Sequence, residues 1–356
     1  MKYLWWTLGL IPVLYLLIVL IHGTLNDYQP EEIEPLQIIK SEGVPVIQDS
    51  ILSFMIWNIG YTGLGAESDF FYEKGALLSK GSMVRPSQEI STKNLEGIKT
   101  QIKQAPVDFY LLQEVDYEAK RSYGVNQLEE IAGVAAAPYV SYGLNYKVDR
   151  VPVPVLEPWR VYGKVNSGLG TFSKYQAKEA DRLQLPGDYA WPTRIFMLDR
   201  CAALHRFPTK NGKELVLINI HNSAYDDGSL KAQQMSYLKT LFLKEYEKGN
   251  YVIAGGDWNQ CPPFFPFDTF MPGQGGDYSQ KNIDPEMMPS DWQWIYDPTV
   301  PTNRKVAEPF FKGGTFVTLI DFFLVSPNLQ VRKARGINID FEYSDHQPLW
   351  MEVELR

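Results

Sequence analysis

The chain predicts an α/β protein, with mixed β-sheets covered by helices and preceded by an N-terminal transmembrane helix. Three observations carry that reading. Short apolar, strand-like runs outnumber helical patterns, and the last third is mostly strand. Helical periodicity is convincing around residues 94–104 and 229–249. Residues 4–21 hold no charge and are almost all apolar. At 45% hydrophobic and 21% charged over 356 residues, the rest has the balance of an ordinary globular protein with a large core.

Taken in order, residues 4–21 make a helix of about 27 Å at roughly 1.5 Å per residue, close to the ~30 Å of a hydrocarbon core. Trp5 and Trp6 lie where interfacial aromatics are favoured. Lys2 precedes the run and Asp27, Glu31, Glu32 and Glu34 follow it, which places the N-terminus inside and the bulk of the chain outside the cytoplasm. A cleaved signal peptide is the rival reading, but the run is long for one and Ile21-His22-Gly23-Thr24 offers no small-x-small site. Residues 1–23 are thus expected to be a single-pass anchor. Residues 24–48, acidic and holding Pro30, Pro35 and Pro45, read as a tether, and 49–356 as one extracytoplasmic domain.

Within that domain, residues 53–57 form a strand that delivers Asn58 to a loop marked by Gly60, Gly63 and Gly65. Leu95, Ile98 and Ile102 share one face of a helix stopped by Pro106. Residues 109–112 make a buried strand ending at Gln113-Glu114, and 126–137 a second helix. Strands at 168–173 and 201–207 precede a stronger one at 215–218, which delivers Asn219 and His221. Ser229 caps a helix that Gly249 ends. Strands at 251–254, 319–325, 331–339 and 348–355 complete the pattern. Stretches near 60–93, 145–195 and 260–315, rich in Gly, Pro and aromatics, read as long loops that shape a site.

Composition excludes some chemistry. With 34 basic against 42 acidic residues the net charge is −8, which disfavours a nucleic-acid backbone as partner. Two cysteines, Cys201 and Cys261, cannot build a Cys-rich zinc site; a disulfide between them and two buried thiols both stay open.

The most informative segment is Gly256-Asp257-Trp258-Asn259, which sets a carboxylate and a carboxamide two residues apart where a buried strand surfaces. Such a pair suits a hard metal ion and a phosphoryl oxygen. Asn58, Glu114, His221, Asp321, Asp345 and His346 each sit at the end of their own apolar run. Singly they have ordinary readings: Asn58 a turn former, Glu114 a rim ion-pair partner, His221 a core histidine, residues 344–346 a cap. His205, in a strand without a supporting motif, reads as structural.

In order, W-N-I-G at 57–60, L-Q-E-V-D at 112–116, N-I-H at 219–221, G-D-W-N at 256–259, I-D-F-F-L-V-S at 320–326 and S-D-H at 344–346 resemble the endonuclease/exonuclease/phosphatase superfamily. That superfamily includes pancreatic deoxyribonuclease, abasic-site endonucleases, neutral sphingomyelinases and inositol-polyphosphate phosphatases. The resemblance spans about residues 50–356 and implies a four-layer α/β sandwich of two packed mixed β-sheets flanked by helices. It implies metal-assisted hydrolysis of a phosphoester, with Mg²⁺ (or Mn²⁺) held by Glu114, Asn58 and Asp345. Asp257 and Asn259 position the attacking water and a phosphoryl oxygen. His346, paired with Asp321, is the general base; His221 donates to the phosphoryl group, and Asn219 assists.

Abasic-site endonucleases carry Tyr where this chain has His221, which points to the other branches. The anchor and the loop aromatics Trp159, Trp191, Phe264, Phe265, Phe267, Trp292 and Trp294 favour a lipid headgroup or small phosphoester as substrate. An extracytoplasmic nuclease acting on DNA or RNA is the alternative, and a catalytically inactive scaffold the third reading. Arg85, Lys120, Arg121, Arg160, Lys164 and Arg194 are the candidate phosphate-gripping cations.

Overall fold

Two seven-stranded mixed sheets pack face to face, each built around one parallel pair of strands. The computed structural model describes residues 2–224, 228–276 and 281–356, the first eight by backbone alone. The first sheet runs, in spatial order, Leu329–Gly336, Leu349–Leu355, Ile51–Asn58, Phe109–Asp116, Gly163–Ser173, Tyr139–Val151 and Gln37–Ser41. The second runs Ile33–Pro35, Glu179–Gln184, Cys201–Pro208, Glu214–His221, Tyr251–Asp257, Asp321–Val325 and Gln293–Ile295. Four α-helices are described: α1 (Lys2–Leu25), α2 (Gln88–Gln104), α3 (Gln127–Ala135) and α4 (Ser229–Glu247).

A parallel pair needs a crossover connection. Between Ile51–Asn58 and Phe109–Asp116 the crossover is α2; between Glu214–His221 and Tyr251–Asp257 it is α4. Both pairs therefore end side by side, and ligand sites in such sheets form at the carboxyl ends of the strands. Alternation explains the layers. Phe54 and Ile56 enter the core between the sheets with Leu217, Ile253 and Phe323. Met55 and Trp57, on the opposite face, pack with Leu95, Ile98 and Ile102 of α2. Burial on both faces is why this strand reads as a near-continuous apolar run. On the far side, Met235, Leu238 and Phe242 of α4 close the second sheet. The expected four layers are present.

Boundaries move for local reasons. α2 begins at Gln88 rather than 94, because Ser87 Oγ accepts from Ile90 N at 3.2 Å. Ser229, expected as a cap, is the first residue of α4 after Gly228 in a left-handed conformation. The 145–195 stretch, expected as loop, holds part of a thirteen-residue strand, Tyr139–Val151. Its outer half faces solvent at Lys147, Asp149 and Arg150, so the apolar pattern fades there.

Residues 24–48 are not a free tether. Ile33–Pro35 pairs with Glu179–Gln184 at the edge of one sheet, and Gln37–Ser41 with Tyr139–Val151 at the edge of the other. Pro35 is tolerated because it ends an edge strand. α1 leaves Leu10, Ile11, Leu17, Ile18 and Ile21 exposed. Its C-terminal end meets the domain, with Trp191 Nε1 donating to Thr24 Oγ1 at 3.2 Å and Arg194 pairing with Asp27. Among the described residues no helix is long and apolar enough to cross a membrane. Trp5 and Trp6, expected at an interface, lie outside the described side chains. Cys201 and Cys261 are buried free thiols.

Candidate active site

The carboxylate of Asp257 is the hub of the site. Its Oδ2 lies 3.1 Å from Asn58 Nδ2, 3.4 Å from His221 Nε2 and 3.7 Å from His346 Nε2. Parallel pairing sets Asp257 opposite His221, while antiparallel pairing sets it opposite Asp321. Three adjacent strands thus place an imidazole and two carboxylates in a row. Gly256, at φ +144, lets the strand approach Ile220 closely; a Cβ there would sit 2.1 Å from Ile220 O.

Glu114 arrives differently. Between Leu112 and Val115 the pairing with Gly163–Ser173 slips by a residue, a bulge that holds Glu114 at φ +54. A non-glycine residue in that region is strained, and such strain concentrates at functional sites. The bulge turns Glu114 Oε1 to 3.4 Å from Asn58 Nδ2 and 4.0 Å from His221 Nε2. Asn259, at φ +50, is held by its own N–H to Asp257 Oδ1 at 2.9 Å and by Nδ2 to Asn222 O.

His346 is fixed at both ring nitrogens. Nδ1 lies 2.8 Å from Asp321 Oδ2, and Nε2 lies 3.0 Å from the Asn303 amide nitrogen. An amide N–H pointing at Nε2 leaves the neutral ring's proton on Nδ1, facing Asp321, the tautomer a base at Nε2 requires. Thr302 Oγ1 accepts from the backbone N–H groups of Ile320 and Asp321, and Trp57 Nε1 donates to His346 O. Burial opposes a charge on His346, but Asp321 and Asp257 prevail and raise its proton affinity well above the usual histidine range, so the ring is the neutral base only when a bound cation offsets the pull of Asp257. His221 is the opposite case: burial, then Arg200 and His346, hold it well below that range, so it is a neutral donor.

The chemistry of this donor set fits a hard divalent cation. Glu114, Asp257 and Asp345 bring three carboxylates into one cleft. Burial pushes Asp345 up to about 6, with His346 pulling it down and Glu114 adding repulsion. Oxygen-rich, mutually repelling groups of this kind are what Mg²⁺ neutralises. Asn58 now points Nδ2 at the carboxylates while Oδ1 accepts from Gly60 N at 3.0 Å. Its amide must turn over to present oxygen to an ion. Asp257, Asp321 and His346 also hold ligand atoms within 4.8 Å of one another, but His346 and Asp321 are already engaged with each other.

A model of the Endonuclease/Exonuclease/phosphatase family matches residues 91–346. The chain belongs to that family. Its members are metal-dependent phosphoric ester hydrolases, and this chain is an enzyme of that class. Among solved structures it is similar to an endonuclease/exonuclease/phosphatase from Beutenbergia cavernae, at 17% identity over 86% of this chain and 72% of that one, TM-score 0.55. It is similar to ANGEL2, a 2′,3′-cyclic phosphatase, in complex with adenosine-2′,3′-vanadate, at 14% identity over 90% and 99%, TM-score 0.51. D. rerio TDP2 complexed with single-strand DNA product follows at 13% identity over 86% and 100%, TM-score 0.50. At these identities the likeness concerns the fold. No curated relative matches the chain.

Six of the nine expected site residues line one cleft of this family member, and Asn58 and Asp321 are buried against it, bonded to Asp257 and His346; Asn219 stands apart. It is wholly buried behind the site, taking Gln113 Nε2 at 2.7 Å and donating to Leu112 O and Gly170 O. Two residues from His221 it does share that residue's face, but the other sheet lies against it there. It ties the sheets together. Of the expected cations only Arg121 lines the cleft, and its guanidinium is committed to Asp116, Tyr162 and Ser167. Arg194 pairs with Asp27 and Lys164 with Glu118. The lining cations Arg200, Lys231 and Lys305, and the His346 partner Asn303, escaped the sequence reading. None lies in a motif. His205 is structural as expected, bonded to Ser141 and lowered by burial to about 4.

Proposed function

We propose that this chain is a membrane-anchored phosphoesterase, hydrolysing a phosphodiester or phosphomonoester with Mg²⁺ or Mn²⁺. The single observation behind it is the Asp257 carboxylate, met within 4 Å by Asn58, His221 and His346 from three other chain segments. Water attacks phosphorus as the ester P–O bond breaks, and the alcohol oxygen leaves with the bonding pair and takes a proton from solvent. The water proton passes to His346 Nε2, while the Nδ1 proton stays on its bond to Asp321. Neutral His221 donates to the phosphoryl oxygen that gains charge, and Asn259 orients the group. Glu114 and Asp345, with Asn58 turned over, are the residues that would hold the ion, which supplies Lewis-acid polarisation of the phosphoryl oxygen.

Two features support placing this chemistry at a bilayer, with residues 33–356 outside the cytoplasm and α1 as anchor. The described part of α1 exposes aliphatic side chains all along its length, a surface that calls for lipid. The Lys2-before, acid-after charge pattern orients it.

The test is a substrate panel with the full chain in lipid nanodiscs and Mg²⁺: bis-para-nitrophenyl phosphate, plasmid DNA, sphingomyelin and phosphoinositides. Turnover of the phosphoesters with weak salt dependence is expected. Preference for DNA with a steep fall in rising salt would establish a nuclease instead, and no metal-dependent turnover of any member would refute both.

A further inference from the structure

The cleft does not stop at its carboxylates. The same cavity, about 550 Å³, continues into an annex walled by Phe70, Phe71, Val151, Val153, Phe196 and Leu198. These side chains pack as one cluster with Tyr146 and Tyr162. The tyrosine hydroxyls in that wall are already committed, whereas Asn145 Nδ2, which also lines the cavity, is buried without a bonding partner. Tyr146 Oη donates to Phe196 O at 3.0 Å, and Tyr162 Oη accepts from Arg121 Nη1 at 2.7 Å. Arg121 is neutralised by Asp116 and stacked 3.7 Å over the Tyr61 ring. A nucleobase pocket reads base edges with a set of uncommitted donors and acceptors; beside the single Asn145 amide this wall offers shape and apolar area.

The surroundings point the same way. Phe196 forms the annex wall on one side and meets α1 on the other, where a Cβ on Gly23 would lie 3.1 Å from its ring. Just past Val153, Val155 N and Leu156 N bond to Ala76 O and Leu77 O, both at 3.0 Å. That pairing sets Leu156 beside Leu77, and both are exposed, as are Leu78 and Trp159 close to them in the chain.

We propose that the annex binds the aliphatic chain of an amphiphilic phosphoester, taken from a bilayer met by these exposed side chains, with its phosphate at Asp257. The placement of the phosphate rests on the phosphoesterase reading; the chain site does not need turnover. The test titrates n-alkyl phosphates, ethyl to hexyl, into the full chain in nanodiscs with Mg²⁺, by calorimetry with empty nanodiscs subtracted. Affinity should rise by up to about fourfold per methylene, on the order of a hundredfold across the series. Val153→Arg and Leu198→Glu should each flatten the series. A flat series in the wild type overturns the proposal whether or not the variants fold, and so does a rise that persists in both folded variants. The double variant Leu156→Ser with Trp159→Ser should weaken binding of dodecyl phosphate embedded in vesicles. Unchanged vesicle binding refutes delivery from the bilayer. Chain-length dependence without hydrolysis of any phosphoester would sink the phosphoesterase reading alone, while hydrolysis with a flat series would sink the chain site alone.

Discussion

Replacing Asp321 by Asn tests the base pair most directly. Both partners are buried and the contact is 2.8 Å, so the near-isosteric amide keeps the packing and removes only the charge. When His346 takes a proton, an imidazolium forms beside that charge. With charge centres about 4 Å apart and an effective dielectric near 20, the attraction is about 4 kcal/mol. Its loss predicts a fall in kcat of roughly a thousandfold. Stability should move the other way. Burial first, then Asp257, raises the Asp321 carboxyl to about 6 against the pull of His346. A carboxyl raised above its unfolded value of about 3.9 destabilises the fold as pH climbs from about 4 through 6 and beyond. A neutral amide removes that burden, so Asp321→Asn should melt no lower than wild type at pH 8. The assay is kcat for bis-para-nitrophenyl phosphate at saturating Mg²⁺ from pH 5 to 9, beside thermal melts. A variant within tenfold of wild type, with the same pH profile, would refute the pairing as a catalytic device.

Other outcomes follow from single features. His346→Ala should abolish turnover while leaving the fold and Mg²⁺ binding intact; activity within tenfold of wild type would remove it from the base role. Glu114→Gln should raise the Mg²⁺ requirement sharply in a metal titration, and an unchanged requirement would place the ion elsewhere. Gly256→Ala should cost on the order of 3 kcal/mol by urea unfolding, since the added methyl meets Ile220 O at 2.1 Å in a backbone conformation that alanine avoids. Glu245, far from the cleft, is held by Arg206 at 2.7 and 2.8 Å and by Lys248 at 2.7 Å. Burial raises its carboxyl, but these cations and Asn250 outweigh it and lower it to about 2. A depressed carboxyl stabilises the fold above its unfolded value and loses that contribution as pH falls from about 4.5 to 2. Glu245→Gln should therefore lower stability at pH 7 by about 2–3 kcal/mol, and the loss should vanish near pH 2.

Much of the site was legible because strand ends announce themselves. Asn58, Glu114, His221 and Asp257 each follow an apolar run buried on both faces, so chemistry-bearing residues stand out where the run stops. Asn219 misled for the same reason. Its place on the strand was right, but a polar residue two positions short of the end meets the opposite sheet, not the cleft. Edge strands were less visible. Ile33–Pro35 and Gln37–Ser41 bury little and carry charge and proline, the composition of a linker.

The linear chain determined which residues could do the chemistry, the α/β class and the strand runs, because side-chain type and apolar period are local properties. Folding decided the rest. It set Asp257 between His221 and Asp321 through strand order, turned Glu114 into the cleft by a bulge, and brought Asn303 to His346 across 43 residues. It joined Phe71, Val153 and Phe196 into one annex. Such adjacencies depend on register and layer packing between distant segments, which no local pattern encodes.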